Sequence, residues 1–259
     1  LDAQTLFEAS AGNLQLETAE QKASANQQHR RRKLAEIGQA VGKFQQQQGV
    51  LPQSRMPSEA TEHTHSWRIA ILPFLHDPLA KKIYDDYHFD EAWNSPHNTK
   101  STSQMPDVFR SRDEATGEVA QNTDASTIAN NDNSTLTHIM GFHGEAAAFG
   151  NDYPLAIENF PDGSNMTVLL IESAETVHWA EPKDIDFEPG ANLQHVLGNA
   201  SPDNALSANR MVVLVDGSVP QLPSTVTAEQ LGQLVHRFDA RTVRLLPLAD
   251  VAASDGVAR

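Results

Sequence analysis

Residues 33–49 read KLAEIGQAVGKFQQQQG, and this stretch decides how the chain starts to fold. Leu34, Ile37, Val41 and Phe44 recur at steps of three and four residues. That spacing places them on one face of an α-helix. The stretch therefore predicts the end of an amphipathic helix whose apolar face packs on a core.

The same helix extends towards the N-terminus with a different character. Thr18 and Gln21 have the spacing of a capping box, so we expect a helix over about residues 18–48. Gly49 is suited to the left-handed backbone that ends many helices. Because no comparable apolar stripe precedes Leu34, only the second half of the helix is expected to pack on the core.

The next dense stretch, residues 66–98, reads SWRIAILPFLHDPLAKKIYDDYHFDEAWNSPHN. Its aromatic, histidine and acidic residues are typical either of an active site or of a densely packed structural segment. We interpret the stretch as structural. Trp67 and the apolar run at 69–72 supply core, Asp77 caps a helix that begins at a proline, and Trp93 pins the following loop.

The second half of the chain is strand-like. Residues 134–142 are a predicted strand, and 161–173 are a predicted turn at Asp162-Gly163 followed by an apolar strand. Residues 209–223 are a predicted hairpin with a two-residue turn at Asp216-Gly217. Thr227 and Gln230 cap a predicted short helix that ends near Phe238. The polar stretch 111–134 is interpreted as a mobile surface loop.

Strands in this order are not separated by regular crossover helices, which favours the α+β class with a mostly antiparallel sheet. We expect residues 1–49 to form an N-terminal segment that carries the long helix. Residues 50–259 form a globular head, with a small helical insertion, that makes one domain with the second half of the helix.

Composition excludes several classes of protein. The chain has 259 residues, a net charge of −15 and no cysteine. An acidic protein repels phosphate backbones, so we expect no nucleic-acid partner. Without cysteine there are no disulfides or thiolate metal sites.

The chain begins at Leu1 rather than Met, from which we expect that an upstream piece has been removed. The basic run Arg30-Arg31-Arg32-Lys33 is interpreted as a solvated helix face.

Two histidine pairs have the chemistry of metal ligands. His63 and His65 would share one side of a strand, but they fall in a loop-like stretch, so a surface pair is the favoured interpretation. His138 and His143 have no third ligand by spacing. They are interpreted as ordinary surface histidines or as histidines with satisfied hydrogen bonds.

Oxygen-bearing side chains form two further candidates. Asp90 and Glu91 could pair for acid–base chemistry, but adjacent carboxylates in a loop more often form a turn or a cap. Oxygen ligands for calcium occur at Asp124, Asn130, Asn131 and Asp132. The glycine and bidentate glutamate of an EF-hand are missing there, so a solvated loop is favoured. Phosphate-binding glycine motifs and the G-x-S-x-G elbow are also absent.

Three blocks carry a resemblance to a known family. They read KLAEIGQAVGKFQQQQGVLPQS (33–54), PDGSNMTVLLIESAETVHWAEPKDIDF (161–187) and VVLVDGSVPQLP (212–223), beside the 66–98 stretch. The chain resembles, over about residues 24–238, a large bacterial family of exported proteins with prepilin-type N-termini. The family has a C-terminal signature of His, nine residues and Asp-Gly, and it is also catalogued as solute-binding family ten.

The sequence departs from that family at several positions. The signature histidine would fall at Leu206, so only Asp216-Gly217 of the motif remains. Cysteines usual near Arg31 and Ser111 are both missing. The apolar prepilin helix is not present upstream of residue 23, and residues 1–22 are polar, so we predict no direct membrane span in this chain.

The resemblance implies a pilin-like fold and export to the periplasm or cell surface. Our first hypothesis is a non-enzymatic, pseudopilin-like structural or assembly protein. It would meet protein partners or copies of itself through the N-terminal helix. The first alternative is a solute- or glycan-binding module that uses loops around Trp93 and Trp179, with His97 nearby. The second is a hydrolase built from scattered residues. No catalytic, cofactor-binding or metal-binding residue is implied by the resemblance.

Overall fold

The computed structural model describes residues 3–59, 61–110, 135–150, 153–198 and 210–239. The helices in these ranges are α1 (Ala3–Gln48), α2 (Trp67–Ala70), α3 (Pro78–Asp86), α4 (Pro96–Ser101), α5 (Gln194–Leu197) and α6 (Ala228–Val235). The strands are β1 (Arg55–Pro57), β2 (Thr64–Ser66), β3 (Leu136–His143), β4 (Val168–His178), β5 (Ile185–Asp186) and β6 (Val212–Leu214).

The main sheet has the strand order β5-β3-β4-β6. Strand β4 pairs antiparallel with both β3 and β6, whereas the short β5 runs parallel to β3. Strands β1 and β2 form a separate antiparallel ribbon. A long helix with a mostly antiparallel sheet confirms the predicted α+β class.

Both faces of the main sheet are covered. Ile139, Leu170 and Val213 face a core that contains the second half of α1 and the helical unit α2–α3. Phe142 and Val212 face a second core, closed by α5 and α6. Successive residues of a strand point to opposite faces, so Val212 and Val213 enter different cores.

Helix α1 ends where the sequence predicts, at Gln48, and Gly49 follows with φ of 77°. Its start at Ala3 lies well before Thr18, so the expected start at about residue 18 is wrong. Residues 3–17 contain no proline and many good helix formers, which lets the helix continue through the capping-box pattern.

Local capping signals elsewhere operate as predicted. The Asp77 carboxylate accepts a hydrogen bond from the Leu79 amide at 2.8 Å, and Pro78 occupies the first turn of α3. Thr227 and Gln230 form a reciprocal capping box on α6. This helix ends at Val235 instead of Phe238, because His236 takes up an extended conformation with ψ of 118°.

Helix α1 approaches the sheet closely at one glycine. A Cβ atom on Gly38 would lie 3.0 Å from both the Gly217 carbonyl oxygen and the Val213 Cγ1 atom. Such a distance is tighter than ordinary van der Waals contact, so Gly38 lets the helix backbone rest against β6 and its hairpin tip.

Candidate functional site

Helix α1 continues beyond the core that its second half helps to build. Leu34 and Ile37 are fully buried, but the described side chains nearer the N-terminus become solvent-exposed. The exposed ones are Gln21, Ala23, Ser24, Ala25, Gln28 and His29. A helix rises about 1.5 Å per residue, so the stretch before Arg30 adds roughly 40 Å of helix to the packed part.

An ion pair anchors α1 where the exposed stretch meets the head. Arg30 donates from Nε to Glu172 Oε1 at 2.9 Å and from Nη2 to Glu172 Oε2. The Glu172 side chain is 2% exposed and also accepts the Met211 amide at 3.1 Å. Nearby, the Gln27 amide donates to Gln221 at 2.9 Å. These contacts clamp the helix onto β4 and the hairpin.

Arg210 also contacts Glu172, at the Glu172 main-chain carbonyl. Its Nη2 donates to the Leu197 carbonyl at 2.8 Å, and its Nη1 contacts the Glu172 carbonyl. Burial lowers the pKa of Arg210 to about 10, with Glu172 opposing the shift and Arg30 adding to it. The guanidinium therefore keeps its charge at neutral pH, and the positive charges of Arg30 and Arg210 both lie near the buried Glu172.

The interpretation of residues 30–33 as a solvated face is wrong for its two end residues. Arg31 and Arg32 are exposed, but Arg30 joins the clamp. Lys33 is 8% exposed and pairs with the Asp107 carboxylate at 3.0 Å. The helical repeat turns residues three apart to the same side, and here that side faces the head.

Trp93 and Trp179 do not form one binding surface. The Trp179 side chain is 0% exposed, stacks on Phe109 with ring centroids 5.8 Å apart, and donates its indole N–H to the Thr102 carbonyl at 2.9 Å. Trp93 is half-buried and lies 5.4 Å from the His178 ring. Trp179 is a core residue, so a solute cannot stack on it without unfolding the region.

His65 is not part of a surface pair with His63. His63 is exposed, but His65 is 1% exposed, and both of its ring nitrogens are within 2.9 Å of a partner. The partners are the Tyr87 hydroxyl at Nδ1 and the Phe89 carbonyl at Nε2. Burial lowers the pKa of His65, which favours the neutral ring. The aromatic side chains that enclose it have no signal in the local sequence of the ribbon.

His138 and His143 both lie in strand β3 of the main sheet. His138 Nδ1 lies 3.0 Å from the Ser173 carbonyl, and burial lowers the pKa of its ring. His143 ends β3 and is half-buried. The structure places these two rings in the sheet and does not bring them together with a third ligand among the described residues.

Glu91 ties together the loop between α3 and α4. Its carboxylate lies 3.0 Å from His88 Nδ1 and accepts the Ser95 hydroxyl at 2.6 Å. The hydrogen bond from Ser95 and then that from His88 lower the pKa of Glu91. The His97 ring stacks on His88 at 3.6 Å, whereas Asp90 is exposed. The Glu91 carboxylate therefore holds a turn, as predicted for this pair.

The turn at the hairpin tip differs from the prediction. The Leu214 carbonyl accepts the Gly217 amide, and the Leu214 amide donates to the Ser218 carbonyl, both at 2.9 Å. This pattern is a three-residue loop over 215–217 with Gly217 at φ of 84°, so the two-residue turn is wrong. The Val215 amide donates to Thr167 rather than across the hairpin, which adds the third loop residue.

Asp216 has a structural role in that loop. Its Oδ1 atom accepts the Ser218 amide at 2.9 Å and the Ser218 hydroxyl at 2.6 Å. The Asp216 carboxylate thus makes hydrogen bonds within its own turn. The neighbouring residue, Gly217, lies against Gly38 of α1.

A buried polar network attaches the 66–98 stretch to the sheet. The Asp184 carboxylate accepts the Ser54 hydroxyl at 2.7 Å, the Trp67 indole N–H at 3.1 Å, Arg68 Nη2 at 2.9 Å and the Gly141 amide at 2.8 Å. The Arg68 and Asp184 side chains are both 0% exposed. Since every contact here is internal, the network supports the interpretation of this stretch as fold.

Sequence reasoning missed a groove on the other side of the sheet from α1. It has a volume of 530 Å³ and lies between α6 and the loop 187–192. Its polar lining includes Glu229, Gln233 and His236. Their spacing of four and three residues is a helical stripe that the sequence could have indicated, although nothing in the sequence places the loop opposite it.

The calcium ligand candidates Asp124, Asn130, Asn131 and Asp132 lie outside the described residues, as do Leu206 and Ser111. Over the ranges that the structure describes, no helix combines the length and the apolar character needed to cross a bilayer.

Residues 31–240 match the family described as "Protein of unknown function (DUF1559)", with the short label SBP_bac_10. The match covers most of the chain and confirms the family predicted from the sequence blocks, including its solute-binding label. No curated protein and no solved structure matches the chain. The long helix clamped onto a mostly antiparallel sheet is therefore the fold of a protein that belongs to the DUF1559 family.

Proposed function

We propose that the protein is a non-enzymatic, pseudopilin-like structural or assembly protein, exported to the periplasm or cell surface. It meets further copies of itself or a protein partner through the N-terminal half of α1. The observation that carries the proposal is the length of α1. The helix spans Ala3–Gln48, but among its described side chains, those of residue 21 and of residues 23–48, the buried apolar ones begin only at Leu34.

The anchoring of the helix supports this role. A helix needs tertiary contacts to be stable in water, and an exposed polar helix gains few by itself. The bidentate Arg30–Glu172 pair and the Gln27–Gln221 hydrogen bond hold α1 rigidly where it leaves the head. The helix is thereby presented in one direction, which suits docking to another molecule.

The absence of cysteine allows a clean test of the assembly. We would introduce one cysteine on the exposed helix stretch, Ala25→Cys, and compare it with a cysteine on the exposed head, Ser103→Cys. Mild oxidation should convert more of the Ala25→Cys protein than of the control into covalent dimers. Light scattering should show concentration-dependent association that is lost when residues 1–29 are removed.

A monomer at all concentrations, with equal cross-linking of the two variants, would contradict self-assembly. Fractionation of the native cell then tests export and a partner, and a cytoplasmic location would end the proposal altogether.

The alternatives receive less support. A binding module around Trp93 and Trp179 would need an accessible Trp179 ring, which is 0% exposed. For a hydrolase, the serine in the histidine-rich loop, Ser95, donates to the Glu91 carboxylate and not to an imidazole.

A further inference from the structure

The charge of the chain is divided unevenly between α1 and the head. Residues 21–48 of the helix contain six basic residues and one acidic residue, whereas residues 49–259 contain 13 basic and 29 acidic residues. The head is therefore acidic, and the helix that packs on it is basic. Surfaces of opposite charge attract each other and fix the orientation in which two molecules meet.

Two of the basic residues on α1 face away from the head. Arg30 and Lys33 lie on the inner side of the helix and pair with carboxylates of the head. Arg31 and Arg32 are exposed, and within the ranges that the structure describes neither makes a hydrogen bond or an ion pair. Arginine is more weakly hydrated than lysine and has a planar fork of N–H groups, which suits ion pairs at interfaces.

The outer face of α1 leaves these two guanidinium groups accessible. Residues three, four or seven apart lie on the same side of a helix. Gln28 lies one turn before the arginines and Ala25 two turns before, and both are exposed. Ala35 lies one turn after them and is small. Carboxylates of another molecule can therefore reach both arginines without displacing a large apolar side chain.

A group of carboxylates lies where the β1–β2 ribbon meets the loop between α3 and α4. The Ser58 hydroxyl, at the tip of the ribbon, donates to the Phe89 carbonyl of that loop at 2.8 Å. This contact brings Glu59, Glu62 and Asp90 to one corner of the head, and all three are exposed. Among the described residues none of them forms an ion pair. We call these three residues the acidic corner.

Building on the proposed self-assembly, we propose that Arg31 and Arg32 of one copy dock on the acidic corner of the next copy. No ion pair joins the two surfaces within the described part of one chain, so their charges are available to a second copy. Nucleic acid is a poorer partner for the arginines, because the net charge of −15 repels it. Contact between two different surfaces is head-to-tail, and it continues from copy to copy into a ring or a filament.

The test measures self-association of the full chain by sedimentation velocity over a range of protein concentrations. Salt screens exposed charges, so raising sodium chloride from about 50 to about 500 mM should weaken the association about ten-fold. Arg31→Glu/Arg32→Glu and Glu59→Lys/Glu62→Lys should each weaken it at least as much, since like charges then face each other. An equimolar mixture of the two variants should restore association, because every interface between them pairs opposite charges.

A matched control separates docking from a general effect of net charge. Lys100→Glu/Lys183→Glu, at two exposed positions, changes the net charge by the same amount as the helix variant and should associate like the unsubstituted protein. All these side chains are exposed, so circular dichroism should show an unchanged fold.

Several results would overturn the docking but leave self-assembly through α1 standing. They are association that does not respond to salt, association that survives either reversal, a mixture that fails to restore it, and a control that weakens equally. A chain that stays monomeric at every concentration would overturn the docking and the self-assembly together.

Discussion

At the residue scale, Gly217 tests the hairpin tip. Its φ of 84° is a left-handed conformation that strains β-branched residues. Gly217→Val should therefore lower the free energy of unfolding by roughly 1–3 kcal/mol. Asp216→Asn should change it by less than about 0.5 kcal/mol, because an asparagine oxygen can accept the same bonds from Ser218.

Denaturant unfolding of both variants measures these differences. A stable Gly217→Val protein would show that the loop relaxes without strain. Loss of partner binding in a stable Asp216→Asn protein would instead make the hairpin tip a functional site.

His65 predicts a pH dependence of stability. Burial first, and His63 to a lesser extent, lower its pKa from 6.5, against the opposing bond to Phe89. The folded state therefore binds this proton less tightly than the unfolded chain does. The stability that the neutral His65 ring contributes is fully present above pH 6.5, and it is lost as the pH falls through the lowered pKa. His138 and His178, whose pKa values burial also lowers, act in the same direction.

We expect the melting temperature to fall as the pH decreases below 6.5, in a range above the usual titration of carboxylates. In His65→Gln this slope should be smaller, and the exposed His29→Gln is the control. Equal slopes in the two variants would show that His65 is not the responsible group.

At the element scale, the two halves of α1 should differ in their rates of amide hydrogen exchange. Amide exchange depends on how often a helix opens locally, and opening is suppressed where side chains are buried. In the isolated protein, residues before Arg30 should exchange fast, and Leu34 to Phe44 should exchange slowly. Mass-spectrometric exchange of peptides checks this. Slow exchange along the whole helix would mean that its first half is covered, either by the head or by another copy.

At the scale of the whole molecule, the head and the second half of α1 are proposed to form one folding unit. Leu34, Ile37, Val41 and Phe44 are almost fully buried in its core. Four such side chains contribute about 6–12 kcal/mol by burial, which is comparable to the total stability of a typical domain. Removing residues 1–49 should therefore unfold the head.

Removing only residues 1–29 should leave the head folded, with a melting temperature within a few degrees of the full chain, since Arg30 and the apolar stripe remain. Circular dichroism and thermal unfolding compare the two truncations. A folded head without residues 1–49 would place the domain boundary after the helix.

The sequence by itself determined the features whose causes lie within a few residues. The apolar stripe from Leu34 to Phe44, the Asp77 cap and the Thr227 capping box each act over one or two helical turns, so their spacing suffices to predict them. The α+β class followed from the order of such elements, and the family from blocks of residues. Local sequence did not predict the length of the hairpin loop, because the Val215 amide bonds to Thr167, which lies outside the hairpin.

Only the tertiary structure decided which distant groups meet. Arg30 and Glu172 are 142 residues apart, and Arg68 and Asp184 are 116 apart. Spacing along the chain carries no information about such pairs, because each depends on how helices and strands pack. For the same reason, Trp179, which the sequence allowed as part of a binding surface, is buried and stacks on Phe109. The groove beside α6 also depends on tertiary packing, because it forms only when the loop 187–192 folds opposite the helix.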